Sequence, residues 1–190
     1  MLWAGSKGGL EVRTAEGGTT VLRGRFPYAV PTVLRDGRQR LREVFEARAF
    51  GKSLAEDGEI HFLIHHDFDR PLASRSAGSL DVTDDDDALV FEARLSPGMG
   101  GVGYVRDFMG TLESGLVGGV SPGFQIAEGG ETVTRDADGL LRTVRAANLV
   151  EISAVTRPAY PQSQIEARNW HPNNPQMLVV GSHPLNRWRL

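Results

Sequence analysis

The chain is predicted to be mainly β with flanking helices, an α+β protein built on a β-barrel or sandwich. Three observations predict it. Apolar runs of strand length recur, as in Glu59 to His66, Ala88 to Leu95 and Ala147 to Val155. Turn signals such as Asp36-Gly37 and Asp136-Ala137-Asp138-Gly139 separate them. Tyr104 to Val117 is the clearest helical stretch, with Val105, Phe108, Met109, Leu112 and Leu116 on one apolar stripe.

Taken in order, residues 1–20 are rich in Gly and Thr and read as a loose or extended, flexible entry. A folded domain is expected over 21–165 and a weakly structured tail over 166–190. Val21 to Val33 holds a strand and a Pro-bounded loop, Arg42 to Phe45 a short strand, and Ala47 to Leu54 a helix. Glu59 to His66 alternates, with Ile60, Phe62, Ile64 and His66 on one face if the strand stays regular to its end. Ala77 to Val82 and Ala88 to Leu95 form a hairpin whose tip is Asp84-Asp85-Asp86-Asp87. That acid run lacks the spacing and glycine of an EF-hand and reads as a solvated turn. Pro97 to Gly103 is a Gly-rich loop without the lysine of a phosphate loop. Gly118 and Gly119 are expected to end the long helix. Phe124 to Val133, Leu140 to Val144 and Ala147 to Val155 follow as strands, and prolines 158 and 161 end the sheet region.

Composition narrows the function. The 190 residues, 40% hydrophobic and 24% charged, suit one ordinary globular domain. A net charge of −3 offers no basic footprint, so no nucleic-acid partner is expected. No apolar run reaches the ~20 residues that span a bilayer, so no membrane partner is expected either. The first residues show no apolar core of a secretion signal. With no cysteine, disulfides, thiolate zinc sites and a cysteine nucleophile are excluded. His61 and His65 lie four apart on a strand, a poor metal geometry, so neither metal nor cofactor is expected.

The chemistry-bearing stretch is Gly119-Val120-Ser121-Pro122-Gly123-Phe124. Glycines two residues either side of Ser121 would let a substrate backbone approach its hydroxyl. A tight Gly/Pro turn explains the same pattern. A serine needs a base and a group to orient that base. His66, closing an apolar run, is the candidate base, with His65 as its neighbour. Glu151, inside the apolar strand Leu149-Val150-Glu151-Ile152, either faces solvent or accepts the second ring N–H of His66. The α/β-hydrolase elbow is disfavoured: Pro122 has no N–H for an oxyanion hole, and a histidine does not follow the acid in the domain.

These residues carry a resemblance. Arg25-Phe26-Pro27-Tyr28, Arg48-Ala49-Phe50, His66-Asp67 with Pro71-Leu72-Ala73, Gly78-Ser79-Leu80, Phe91-Glu92-Ala93, Val120 to Phe124, and Glu151-Ile152-Ser153 through Thr156 to Pro161 occur in one order. As a series, over about Gly24 to Gln164, they resemble the prohead proteases of HK97-type tailed phages. The resemblance implies a serine endopeptidase with a β-barrel wrapped by helices, like the herpesvirus assembly proteases, active as a homodimer. It places the family's histidine on His66, with His65 where the family carries asparagine, its serine on Ser121 and its acid on Glu151. An earlier serine of the family's turn is Gly118 or Gly119 here. Arg157 is the candidate oxyanion donor. The substrates implied are the scaffolding segment of the major capsid protein and the protease itself, inside the procapsid assembling in the host cytoplasm. The alternative is a non-catalytic assembly or scaffolding module on the same fold.

Overall fold

Alternating apolar side chains build strands wherever one face can be buried, and the molecule consists largely of such strands. The structure is a computed structural model that describes residues 10–14, 19–37 and 39–158. In chain order the elements are β1 (Leu10–Thr14), β2 (Thr20–Pro27), β3 (Thr32–Arg35), β4 (Leu41–Phe45), α1 (Gly51–Ala55), β5 (His61–Ile64), β6 (Asp67–Ser74), β7 (Leu80–Asp84), β8 (Ala88–Leu95), α2 (Gly103–Glu113), β9 (Gly119–Ile126), β10 (Glu131–Asp136), β11 (Gly139–Val144) and β12 (Ala147–Val155). They form three four-stranded sheets, ordered β1-β2-β8-β7, β10-β11-β4-β3 and β6-β5-β12-β9. The mainly-β, α+β expectation holds, and no closed barrel is found among the described residues.

One apolar cluster joins the sheets. Phe26, Phe45, Phe50 and Phe124 meet edge to face or stacked, with ring centroids 4.9 to 5.7 Å apart for Phe45–Phe124, Phe26–Phe45, Phe45–Phe50 and Phe50–Phe124. Phe62, Phe91, Val120, Ile152 and Ala154 continue the cluster. The second sheet carries a buried ion pair: Arg142 stands beside Glu43 in the parallel β4–β11 ladder and bonds it at 2.9 Å.

Several elements differ from expectation. Within the extended entry, Leu10–Thr14 pairs antiparallel with β2 as an edge strand. The helix expected from Ala47 shrinks to α1, with turns over residues 47–50. The single strand expected over Phe124 to Val133 is broken at residues 127–130 into β9 and β10. The long helix ends earlier than Gly118. Gly115 adopts a left-handed φ of +71°, Leu116 N–H bonds Thr111 O, and Gly115 N–H bonds Leu112 O. That is a Schellman ending, which satisfies the last carbonyls of the helix. Leu116 consequently leaves the stripe and is exposed, whereas Val105 and Phe108 are buried.

The acid run does lie between paired strands β7 and β8, but it is more than a solvated tip. Asp85 accepts the N–H groups of Asp87 (2.8 Å) and Ala88 (2.7 Å), and Asp86 pairs with Arg48 at 2.5 Å. Asp84 accepts the Tyr28 hydroxyl and the Phe50 N–H, the latter at 3.1 Å. Burial, and then the Asp84 carboxylate, raises the Tyr28 phenol well above its usual range, so it remains a donor. Burial also raises the Asp84 carboxyl. Tyr28→Phe is expected to lower stability by about 1.5–3 kcal/mol, since it removes a hydrogen bond to a charged group. Thermal or denaturant unfolding checks this.

Candidate active site

The third sheet positions the candidate chemistry. β12 is flanked by β5, running parallel, and by β9, running antiparallel. Directly opposed residues of a ladder share a face. The registers Ile152↔Phe62 and Ala154↔Ile64 put apolar residues on the face toward the main core. The registers Ser153↔Ser121, Glu151↔Gly123, Glu151↔His61 and Ser153↔Leu63 set Ser121, Gly123, Glu151, Ser153 and His61 on the opposite face. Ser121 therefore lies on strand β9, and the alternative reading of its motif as a tight Gly/Pro turn does not hold. Its neighbour Pro122 is tolerated because β9 is an edge strand of this sheet.

The histidine arrives by a different route from the one its parity predicts. Continued alternation would aim His66 toward the core with Phe62 and Ile64. Instead β5 ends at Ile64, and His65-His66 form the two-residue loop of the β5–β6 hairpin, with Ile64 paired to Asp67. His65 has φ +53° and His66 φ +61°, the paired left-handed residues of a type I′ turn. β12 holds both turn amides: His65 N–H bonds Ala154 O at 3.0 Å, and His66 N–H bonds Ser153 Oγ at 3.0 Å. The His66 ring then meets the acid, with Nδ1 2.7 Å from Glu151 Oε1.

His66 and Glu151 are thus brought together, and Glu151 is buried rather than solvent-facing, with 3% of its surface exposed. Ser121 stands opposite Ser153 across the β9–β12 ladder. A neutral imidazole that donates Nδ1–H to a carboxylate carries its lone pair on Nε2, the arrangement of a general base. The exposed Arg157 follows the end of β12, beyond the Val155↔Gly119 pair. His65 is the exposed partner in the turn; desolvation first, then the charges of His66 and Arg70, hold its imidazole below the usual histidine range. Among the described residues no group of His, Asp and Glu is arranged to hold a metal ion, and no helix is long and apolar enough to cross a membrane.

The flanking glycines serve the protein's own side chains. A Cβ on Gly123 would stand 2.0 Å from Glu151 Oε1, and one on Gly119 would stand 2.5 Å from the Pro158 ring. Close approach at these two glycines is made by Pro158 and Glu151. Ser153, which the sequence reading did not single out as a site residue, donates its hydroxyl to Glu151 Oε2 at 2.6 Å. A signal for it exists: residues two apart on a strand share a face, so Glu151-Ile152-Ser153 places a hydroxyl beside the acid.

The sequence profile described as Caudovirus prohead serine protease matches residues 10–176. The chain belongs to that family. No curated protein and no solved structure matches it. The resemblance drawn from the motif series therefore holds at the family level. Membership in the prohead serine protease family implies serine protease activity and supports a role in phage capsid maturation. It also implies action on phage capsid proteins and points to the procapsid assembling in the host cell.

The turn makes a separable prediction about the two histidines. Asn is at home at positive φ, and the backbone bond from residue 65 to Ala154 O does not depend on the side chain. His65→Asn is expected to leave peptide cleavage unchanged and to maintain or raise stability, by on the order of 0.5 kcal/mol. Loss of activity in that variant would transfer the base role to His65. Turnover and melting temperature, measured together, decide it.

Proposed function

We propose that Ser121, His66 and Glu151 are the catalytic triad of a serine endopeptidase that cleaves the capsid scaffolding segment and itself during prohead maturation. One observation carries this reading. The imidazole of His66 is bonded through Nδ1 to the buried Glu151 carboxylate, on the sheet face where the β9–β12 register sets Ser121.

In this mechanism His66 Nε2 takes the Ser121 proton as Oγ attacks a peptide carbonyl. Glu151 holds the Nδ1–H tautomer and balances the imidazolium charge. The imidazolium then protonates the leaving amine. Water, deprotonated by the same nitrogen, releases the acyl group and regenerates Ser121. The tetrahedral oxyanion needs donors, each worth roughly 3 kcal/mol in well-studied hydrolases. Pro122 supplies no N–H. Arg157, on the segment leaving β12, is the proposed donor, directly or through a water.

The same proposal takes the active form to be a homodimer and the fold to be related to the barrel of the herpesvirus assembly proteases. Self-cleavage is assigned to the segment after Gln164, which lies outside the described residues, or to a site near the N-terminus, where residues 1–9 and 15–18 also lie outside them. Intact-mass measurement over time tests the activity. Wild type is expected to lose a terminal segment while Ser121→Ala keeps its mass. Equal processing of both would rule out Ser121 as the nucleophile.

A further inference from the structure

The two serines that face each other across β9 and β12 are chemically unlike. Ser153 is fully buried, and both functions of its hydroxyl are engaged. Its O–H donates to Glu151 Oε2 at 2.6 Å, and its oxygen accepts the His66 N–H at 3.0 Å. The other carboxylate oxygen of Glu151 meets Nδ1 of the same histidine at 2.7 Å. Hydroxyl, carboxylate, imidazole and backbone amide thereby form a closed ring of hydrogen bonds.

Such a ring fixes two things at once. It sets the rotation of the Glu151 carboxylate, because each oxygen is assigned to one partner. It also sets the height of the His66 turn above β12, because the turn amide and the ring are both tied to that strand. The turn has two non-glycine residues at positive φ and is not self-holding. The Ala154 carbonyl holds one of its amides and the Ser153 hydroxyl holds the other.

We infer that Ser153 is a positioning residue: it locks the Glu151 carboxylate and the His66 turn into the one arrangement that presents the imidazole to Ser121. The inference rests on the proposed triad. Ser153 is not an alternative nucleophile, since it is fully buried and its proton is committed to the Glu151 carboxylate.

The test compares wild type with Ser153→Ala, Ser153→Thr and Ser153→Cys. The first readout is phosphonylation of Ser121 by a small fluorophosphonate, followed by mass spectrometry. Ser153→Ala is expected to react ~10–100-fold more slowly, the scale set by a misplaced catalytic group. In peptide cleavage the loss should fall on kcat, with KM nearly unchanged. Ser153→Thr keeps the hydroxyl and is expected to recover most of the rate. The second readout is the proton NMR signal of His66 Nδ1–H, assigned by its loss in His66→Asn. It should shift or broaden in Ser153→Ala and be retained in Ser153→Thr. Wild-type rates and an unchanged signal in Ser153→Ala would overturn the inference. Should the alanine variant not fold, Ser153→Cys decides, because it nearly keeps the shape while donating weakly. A wild-type rate in that variant would likewise overturn it. Wild-type protein that is never labelled at Ser121 would instead remove the triad itself, and this inference with it.

Discussion

Replacing His66 is expected to reduce peptide-bond cleavage to the level of Ser121→Ala, and the double variant should be no slower than either. Nucleophile and base act on one proton, so removing one disables the other. In a well-studied serine hydrolase either loss alone costs roughly 10⁶-fold in kcat, about as much as removing the whole triad. Independent roles would instead multiply the two losses. Stability must be kept apart from activity here. His66 sits at φ +61°, where alanine is strained and asparagine is tolerated. His66→Asn should therefore be measured beside His66→Ala. Both are expected to be inactive, with the asparagine variant the more stable. Residual cleavage that falls additively in the double variant would show that His66 and Ser121 do not share a step.

Gly123→Ala is the second variant expected to do great damage, although it alters no titratable group. Its new methyl would lie 2.0 Å from Glu151 Oε1 and 2.7 Å from Cδ, with the Glu151 stem close behind. That oxygen is the one bonded to His66 Nδ1. The carboxylate is buried, and its other oxygen is held by Ser153, so it has no solvated position to retreat to. Overpacking of this kind costs typically 1–3 kcal/mol of stability. The effect on kcat is expected to be larger, on the order of 10²-fold, because the acid that orients the base is the atom group displaced. Shortening the acid should relieve the clash. Gly123→Ala combined with Glu151→Asp is expected to be more active than the sum of the two single losses allows, a coupling that a double-mutant cycle measures.

What the sequence made legible follows from locality. The apolar runs of β8 and β12 and the Asp136–Gly139 turn are written within a few neighbouring residues, and those elements form as expected. The motif series identified the family for the same reason: each piece is short and their order is fixed. The hairpin turn at His65-His66 was not legible, because neither residue is the glycine or asparagine that usually marks a type I′ turn. The turn abolishes the parity that favours His66, and the placement of the family's histidine on His66 does not depend on that parity. The end of α2 was misplaced by a few residues, because Gly115, Gly118 and Gly119 offer the same signal and only the hydrogen bonds to Thr111 and Leu112 distinguish them. The service of Gly123 to Glu151, and of Ser153 to both Glu151 and His66, depends on strand register. Register between strands remote in sequence is set by the packing of whole sheets.

The most direct measurement is an experimental structure of the protein after reaction with a small phosphonate inhibitor. The account predicts phosphorus bonded to Ser121 Oγ, with His66 Nε2 within hydrogen-bond reach of that oxygen and Nδ1 still on Glu151. An adduct on any other serine, or a His66 ring turned away from the bonded Ser121, would contradict it.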